Sequence, residues 1–193
     1  MRRTAQWRVP LVIAAASVSA ELGGSSSRAF LRFERTAIVD AEPWRLVTGH
    51  FVHLGPAHML MNTAALLLLW LLVGQNLTAA GWLVVISACL IGIDLGFWLF
   101  DPQLTWYVGL SGLLHGMLAA GLVARYRVAM AESLTLGCLL AAKILFEQVA
   151  GPLPGSALSA GGPVVVNAHF YGALAGVAVG LLLRTGDQPA EPI

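Results

Sequence analysis

Long apolar runs alternate with short polar segments along almost the whole chain. The hydrophobic pattern predicts six helices, over residues 9–22, 58–77, 79–100, 109–124, 132–150 and 164–183. A helix needs about 20 mostly apolar residues to cross a bilayer, so the later runs are long enough or nearly so, whereas the first is short. We predict an all-α membrane protein in which residues 1–193 form one domain of six transmembrane helices.

The composition supports this prediction. Hydrophobic residues make up 58% of the chain and charged residues only 11%, whereas about a quarter of a soluble domain is charged. The formal net charge of +1 gives no electrostatic footprint for a nucleic-acid partner. Cys89 and Cys138 lie inside apolar runs, where we expect small buried side chains rather than a disulfide or a metal pair. No zinc or phosphate-loop spacing occurs, so the sequence predicts neither a metal nor a cofactor.

The arginines predict how the helices are oriented in the membrane. Six flank helix ends on one side and four lie in the segment 23–57 on the other, which favours cytoplasmic termini. The first group is Arg2, Arg3, Arg8, Arg125, Arg127 and Arg184, and the second is Arg28, Arg32, Arg35 and Arg45. One alternative stays open, because Val18-Ser19-Ala20 after a basic start also fits a signal-peptidase site. The chain reaches the outer face in either case.

Residues 23–57 form a predicted long outer loop. A loop of this length without a role is uncommon. Its arginine and apolar positions predict a partly amphipathic segment that lies in the headgroup region. These positions are Arg32, Phe33, Trp44, Phe51 and Val52.

Polar residues gather in the first turns of three predicted helices that all descend from the outer face. They are His58, Asn62, Ser111, His115 and His169. A charged side chain in a bilayer span costs roughly 2.5–3.5 kcal/mol on insertion scales, so polar groups at one shared depth require a reason. The structural alternatives are a packing role for Ser111, a His58–Asn62 pair that faces headgroups, and an interfacial anchor at His169. The glycines Gly172, Gly176 and Gly180 favour a close helix contact that brings His169 to a serine.

These residue types are those of nucleophilic catalysis. A serine hydroxyl needs a base to take its proton, and histidine is the usual base near neutral pH. His58, Asn62 and the backbone N–H groups around Ser111 are candidate donors to an oxyanion. We find no Asp or Glu at that depth to orient His169, so the sequence predicts a Ser–His dyad. Asp94 is expected to make a packing or helix-orienting hydrogen bond, and Lys143 and Glu147 to neutralise each other.

Beyond the first helix, the chain resembles the rhomboid family of intramembrane serine proteases. The motifs are Trp44-Arg45, His53, His58-Met-Leu-Met-Asn62, Gly109-Leu-Ser-Gly112 and Ala168-His169 with Gly172 and Gly176. The resemblance implies Ser111 as nucleophile, His169 as general base, and His58 and Asn62 as oxyanion donors. Trp44, Arg45, Gly109, Gly112 and His115 then support the site. It also implies a water-filled cavity open to the outer side and substrates that enter sideways from the bilayer, near the fifth helix and residues 151–163.

Within that family the chain is most similar to the rhombosortase subgroup. The signs are its length, the run Thr48-Gly-His-Phe-Val-His53, and His115 where many rhomboids have tyrosine. His115 is expected to stack under His169 or to tune its basicity. The resemblance implies a bacterial inner membrane, a site open to the periplasm, and membrane-anchored substrates with a C-terminal Gly-Gly, a transmembrane segment and a basic tail.

Two other functions are compatible with such a chain. A catalytically silent rhomboid-like protein binds membrane helices but lacks the serine or the histidine, and both are present here. A small transporter carries polar residues across the whole bilayer, whereas here they cluster at one depth, with Asp94 the main exception. The sequence therefore favours the protease.

Overall fold

A computed structural model describes residues 7–186. The chain is mostly helical, and all six predicted helices are present. Its elements are α1 Arg8–Leu22, α2 Gly24–Leu31, β1 Phe33–Glu34, α3 Arg35–Val39, α4 Arg45–Thr48, α5 Pro56–Val73, α6 Ala79–Phe100, β2 Trp106–Tyr107, α7 Ser111–Arg125, α8 Met130–Ala150, α9 Ser156–Ala160 and α10 Val166–Gly186.

The protein is a multi-pass membrane protein with fewer clear spans than predicted. Four helices, α5, α6, α8 and α10, are long and apolar enough to cross a bilayer. A fifth span results if α1 and α2, which meet at a bend of 117°, are counted together. Within residues 7–186 the expected six spans are not confirmed, because α1 and α7 have only 15 residues each. Arg2 and Arg3, part of the orientation argument, lie outside the described residues.

Helix α7 is the centre of the bundle. Nine of its 15 residues are buried, and it contacts α5, α6, α8 and α10. Its contact with α10 is the most extensive, because the predicted glycine ridge meets glycines on α7. A Cβ atom added at Gly172 or Gly176 would overlap the carbonyl oxygen of Gly112 or Gly116, respectively. The two backbones therefore touch, and their first turns are held side by side.

Helix α5 differs from its predicted bounds of 58–77. It begins at Pro56, since a proline in the first turn gives up no intrahelical hydrogen bond. It ends at Val73 because the following turn bonds to other helices. Trp82 Nε1 donates to the Gly74 carbonyl at 2.8 Å, and Asn76 Nδ2 donates to the Gly121 carbonyl at 3.3 Å.

The predicted outer loop is folded rather than irregular. It contains α2, α3, α4 and β1, and β1 pairs antiparallel with β2, Phe33 opposite Tyr107. Arg35 fastens it to the end of α6 through the carbonyls of Phe97, Asp101 and Leu104. The expected headgroup-facing role is wrong for Phe33 and Val52, which are buried in the protein.

Helix α8 is the most exposed of the long helices. Only Ser133 and Glu147 on it are buried. Cys138 on this helix is exposed, so the expectation of a buried side chain is wrong for it, while Cys89 on α6 is buried; both cysteines are free. Most of the α8 surface is exposed on the outside of the described bundle. Its apolar residues therefore face the bilayer.

Candidate active site

The site begins where the chain turns from β2 into α7. Gly109 has φ +137°, a conformation that side chains strongly disfavour. Its N–H donates to the Gly49 carbonyl at 3.2 Å, which ties the turn to the outer loop. Ser111 follows as the first residue of α7, with its hydroxyl at the end of the bundle where α10 also begins.

Ser111 and His169 are in hydrogen-bond contact. His169 is the fourth residue of α10 and is 4% exposed. Its Nε2 lies 2.9 Å from Ser111 Oγ, a distance at which the hydroxyl donates to the ring nitrogen. The glycine contact between α7 and α10 makes this approach possible, because bulkier residues would separate the two helices.

A buried carboxylate completes the arrangement on the other side of the imidazole. Glu147, near the end of α8, is 3% exposed, and its Oε2 lies 2.9 Å from His169 Nδ1. The other oxygen, Oε1, lies 2.8 Å from Lys143 Nζ, so the expected Lys143–Glu147 pair is confirmed. Lys143 Nζ is 3.5 Å from Nδ1. Because ammonium carries only donors, the Nδ1 proton belongs with Glu147.

The sequence prediction that no acidic residue lies at this depth is wrong. Helix α8 runs opposite to α7 and α10, so its last turn is level with their first turns. Glu147 stands three residues before the end of both the predicted and the observed helix. The short distance of Glu147 from the end of the helix indicates its depth in the membrane. Its spacing of four residues from Lys143 indicates only a local ion pair.

His115 lies one turn after Ser111 and stacks on His169. The ring centroids are 4.1 Å apart and the planes differ by 14°. His115 Nδ1 is 2.7 Å from the backbone oxygen of Ser111, to which it donates. This contact fixes the ring at the face of the His169 imidazole.

His115, Glu147 and His169 also offer atoms of the kind that bind metals. One nitrogen or oxygen from each lies within 4.8 Å of the others. The geometry suits an ion poorly, however. The lone pairs of two stacked, nearly parallel imidazoles do not converge on one point, His115 Nδ1 is already a donor, and the Lys143 ammonium occupies one Glu147 oxygen. The donor set fits proton transfer better.

His58 and Asn62 approach from the first two turns of α5. The Leu54 N–H donates to His58 Nδ1 at 3.3 Å, so the neutral ring carries its proton on Nε2. The ring is beside Gly109, whose added Cβ would lie 3.4 Å from His58 Cε1. Asn62 is buried, and its Nδ2 has no hydrogen-bond partner among the described residues. The site thus contains two N–H donors, the His58 Nε2–H and the unused amide of Asn62.

His53 packs edge-on against His58, with ring centroids 5.0 Å apart. It belongs to the loop before α5 and is almost fully buried. Burial, with the neighbouring His58 as a smaller contribution, lowers the pKa of His53 to about 3. His53 is therefore neutral at physiological pH.

Trp44 and Arg45 act at the outer loop rather than on the Ser111–His169 pair. Arg45 is buried and donates to the Ala29 and Arg32 carbonyls and to the Glu42 carboxylate. Trp44 Nε1 donates to the Phe30 carbonyl at 3.4 Å. The Arg45 carbonyl accepts a hydrogen bond from the Gly49 N–H, and the Gly49 carbonyl accepts one from the Gly109 N–H. The outer loop therefore holds the turn that precedes Ser111.

Asp94 makes the orienting hydrogen bond expected of it. Its Oδ1 lies 3.2 Å from Nε2 of His50, a fully buried residue of the outer loop. The pair links α6 to the loop segment that also carries Gly49.

A family model described as the rhomboid domain matches residues 40–186, about three quarters of the chain. The chain belongs to the rhomboid family. Rhomboids are generally intramembrane serine proteases, and they act on membrane-embedded substrates within the bilayer. The match begins after α3 and includes every rhomboid motif residue named above. No curated protein matches the chain closely enough to be counted as a relative. Its place in the rhombosortase subgroup stays a prediction.

Proposed function

We propose that this rhomboid is an intramembrane serine endopeptidase with a Ser111–His169–Glu147 triad. The observation that carries the proposal is a continuous chain of two hydrogen bonds. Ser111 Oγ lies 2.9 Å from His169 Nε2, and His169 Nδ1 lies 2.9 Å from Glu147 Oε2. The proposal replaces the predicted dyad, because the buried Glu147 carboxylate accepts a hydrogen bond from His169 Nδ1–H and so leaves the Nε2 lone pair directed at the hydroxyl.

Acylation follows from this geometry. Ser111 Oγ attacks the scissile carbonyl carbon while its proton passes to His169 Nε2. The imidazolium that forms is stabilised by Glu147, which keeps its negative charge. His169 then gives the proton to the leaving amine as the C–N bond breaks, and an acyl-serine remains.

The oxyanion needs donors that are fixed before the reaction. We assign this role to His58 Nε2–H, Asn62 Nδ2–H and a backbone N–H group in the first turn of α7. The first four N–H groups of a helix lack intrahelical partners, and the helix dipole adds positive potential there. That Asn62 Nδ2 is buried without a partner supports the assignment, because such a donor is costly unless a substrate oxygen uses it.

The substrate class rests on the resemblance to rhombosortases. We propose membrane-anchored proteins with a C-terminal Gly-Gly, a transmembrane segment and a basic tail, cut by an enzyme of the bacterial inner membrane whose site opens to the periplasm. Glycine suits the cut site, because a helical peptide must unwind locally before attack and glycine lowers helix stability. The exposed helix α8 is the proposed side of entry.

The test is co-expression of the chain with a reporter that ends in such a tail. Wild type is compared with Ser111→Ala and with Ser17→Ala, a buried serine of α1 outside the site. Mass spectrometry of the new reporter C-terminus is the readout. We expect a cut near Gly-Gly that Ser111→Ala abolishes and Ser17→Ala retains, and the added mass distinguishes water from another acceptor. Cleavage that persists in Ser111→Ala contradicts the mechanism, whereas a cut in a generic rhomboid substrate alone contradicts the substrate class.

A further inference from the structure

A groove of about 580 Å³ runs along the bundle between α7, α8 and α10. Its walls are apolar over most of their length. Leu134 and Leu145 on α8 and Leu174 on α10 line it and are exposed on the outside of the bundle. The groove therefore faces the bilayer. It extends from the level of the active site, where Gln148 and Phe170 line it, to the opposite membrane face.

Polar side chains gather at one end of this groove, at the membrane face opposite Ser111. They are Tyr126 after α7, Ser133 in the first turn of α8, and Arg184 in the last turns of α10. The Arg184 guanidinium lies 5.3 Å from the centre of the Tyr126 ring. Among the described residues no carboxylate pairs with Arg184, whereas the nearby Arg125 is paired with Glu132. Within residues 7–186, the end of the groove thus carries a positive charge without an acidic partner.

Ser133 gives a second and independent indication of a ligand. It is 5% exposed, and its hydroxyl has no hydrogen-bond partner within the described part of the chain. A helical serine in an apolar setting usually bonds to the carbonyl four residues earlier. A buried hydroxyl without a partner is destabilising, so an acceptor from outside the described residues is expected here.

We propose that this groove binds a membrane phospholipid with an anionic headgroup. An acyl chain lies between α8 and α10, and phosphate oxygens accept from Arg184 and the Ser133 hydroxyl. A phospholipid fits because it combines a long apolar part with an anionic acceptor at the membrane face. A peptide helix followed by a basic tail fits less well, because it would place like charges at Arg184.

The bound lipid would also fill the gap beside α8, a helix with few buried contacts to the rest of the protein. Ser133 and Glu147, the two buried residues of α8, are 14 positions apart, or about 21 Å along the helix. Between these anchors the groove separates α8 from α10. An acyl chain there replaces the protein contacts that α8 lacks.

The test measures lipid retention and does not depend on proteolysis. The full chain is reconstituted in vesicles of phosphatidylcholine with phosphatidylglycerol, extracted gently, and analysed by native mass spectrometry for the lipid that remains bound. Wild type should retain phosphatidylglycerol in preference to phosphatidylcholine. Arg184→Gln should weaken this retention about fivefold, the factor expected for one basic side chain at an anionic lipid. Arg127→Gln, which removes an exposed charge at the same face outside the groove, should retain it as wild type does.

A second variant tests the acyl-chain part of the groove. Gly137 lines the groove, and a Cβ added there meets no other atom within 4 Å. Gly137→Leu should therefore fill the groove without disturbing the fold and displace the lipid, while the melting temperature shows that the protein is intact. Equal losses in Arg184→Gln and Arg127→Gln, equal retention of both lipids by wild type, or undiminished retention in Gly137→Leu would each overturn the proposal.

Discussion

The α7–α10 interface and helix α8 contribute to the same site in opposite ways. Between α7 and α10 the backbones touch through paired glycines, and this contact holds Ser111 beside His169. Helix α8 is mostly exposed and is anchored by two buried polar residues, one of which is Glu147. Backbone packing thus holds the nucleophile and the base. The Glu147 carboxylate, by contrast, is on a helix with few apolar contacts to the protein, and its contacts with His169 and Lys143 hold it in place.

This difference indicates where the site can change. Packed helices resist displacement because their contacts cannot be lost one at a time. A helix with few buried apolar contacts belongs to the low-stability part of a structure. Movement of α8 would therefore alter the orientation of the His169 imidazole before it altered the Ser111–His169 distance.

The largest effect expected from α8 is on catalysis. Glu147→Gln keeps the shape of the side chain but removes the charge that stabilises the His169 imidazolium. In a triad the loss of the carboxylate typically lowers turnover by about 10⁴-fold, and we expect about 10²–10⁴-fold here in a cleavage assay.

Glu132→Gln is the matched control for that measurement. Glu132 lies on the same helix, is exposed, and pairs with Arg125 far from the site. It should leave turnover within about twofold of wild type. If Glu147→Gln behaves like this control, the site operates as a dyad and the carboxylate is structural only.

The next effect concerns the donors that α5 brings to the serine. Asn62→Leu should lower turnover by about 10²–10³-fold, the usual loss for one oxyanion donor. It should leave the melting temperature unchanged or raised, because removing a buried amide without a partner relieves a desolvation penalty. His58→Ala should lower the rate as well, and it also removes the acceptor of the Leu54 N–H. A loss of stability in Asn62→Leu with an unchanged rate would show that Asn62 serves packing alone.

A pair of glycine substitutions tests the packing difference itself. Gly176→Ala places a Cβ against the Gly116 carbonyl, so one backbone must shift, and we expect a loss of about 1–3 kcal/mol in the free energy of unfolding. Gly137→Ala meets open space and should gain up to about 1 kcal/mol from helix propensity. Thermal or denaturant unfolding in detergent micelles measures both. Similar effects from the two substitutions would contradict the distinction between a packed interface and a loosely held helix.

The sequence predicts the packed α7–α10 interface better than it predicts the contribution of the exposed helix α8. Shared depth in three helices and the spacing of Gly172 and Gly176 were enough to bring Ser111 and His169 together, because both signals repeat along a helix. The contribution of Glu147 depends on how α8 is rotated about its axis. A helix surrounded largely by lipid has no apolar face to fix that rotation, so its sequence pattern could not decide it.

The outer loop was hard to predict for a different reason. Phe33 pairs with Tyr107, which is 74 residues away in the sequence. No local sequence pattern predicts such a contact. The bonds from Arg35 and Arg45 to backbone carbonyls also depend on distant chain segments. By contrast, the Asp94 hydrogen bond was expected, because a carboxyl group in an apolar helix needs a partner.

The smallest predicted effect asks whether this loop is as tightly packed as α7 and α10. Burial lowers the pKa of His53 to about 3, below the value of 6.5 for an exposed imidazole. Between these values the unfolded chain binds more protons than the folded one, so the free energy of unfolding is highest above pH 6.5 and falls as the pH falls below it. One histidine contributes at most about 1.4 kcal/mol per pH unit. Melting temperatures of wild type and His53→Phe between pH 7 and pH 5 should therefore differ in slope, with the variant flatter. Equal slopes would mean that water reaches His53 and that the loop is held as loosely as α8.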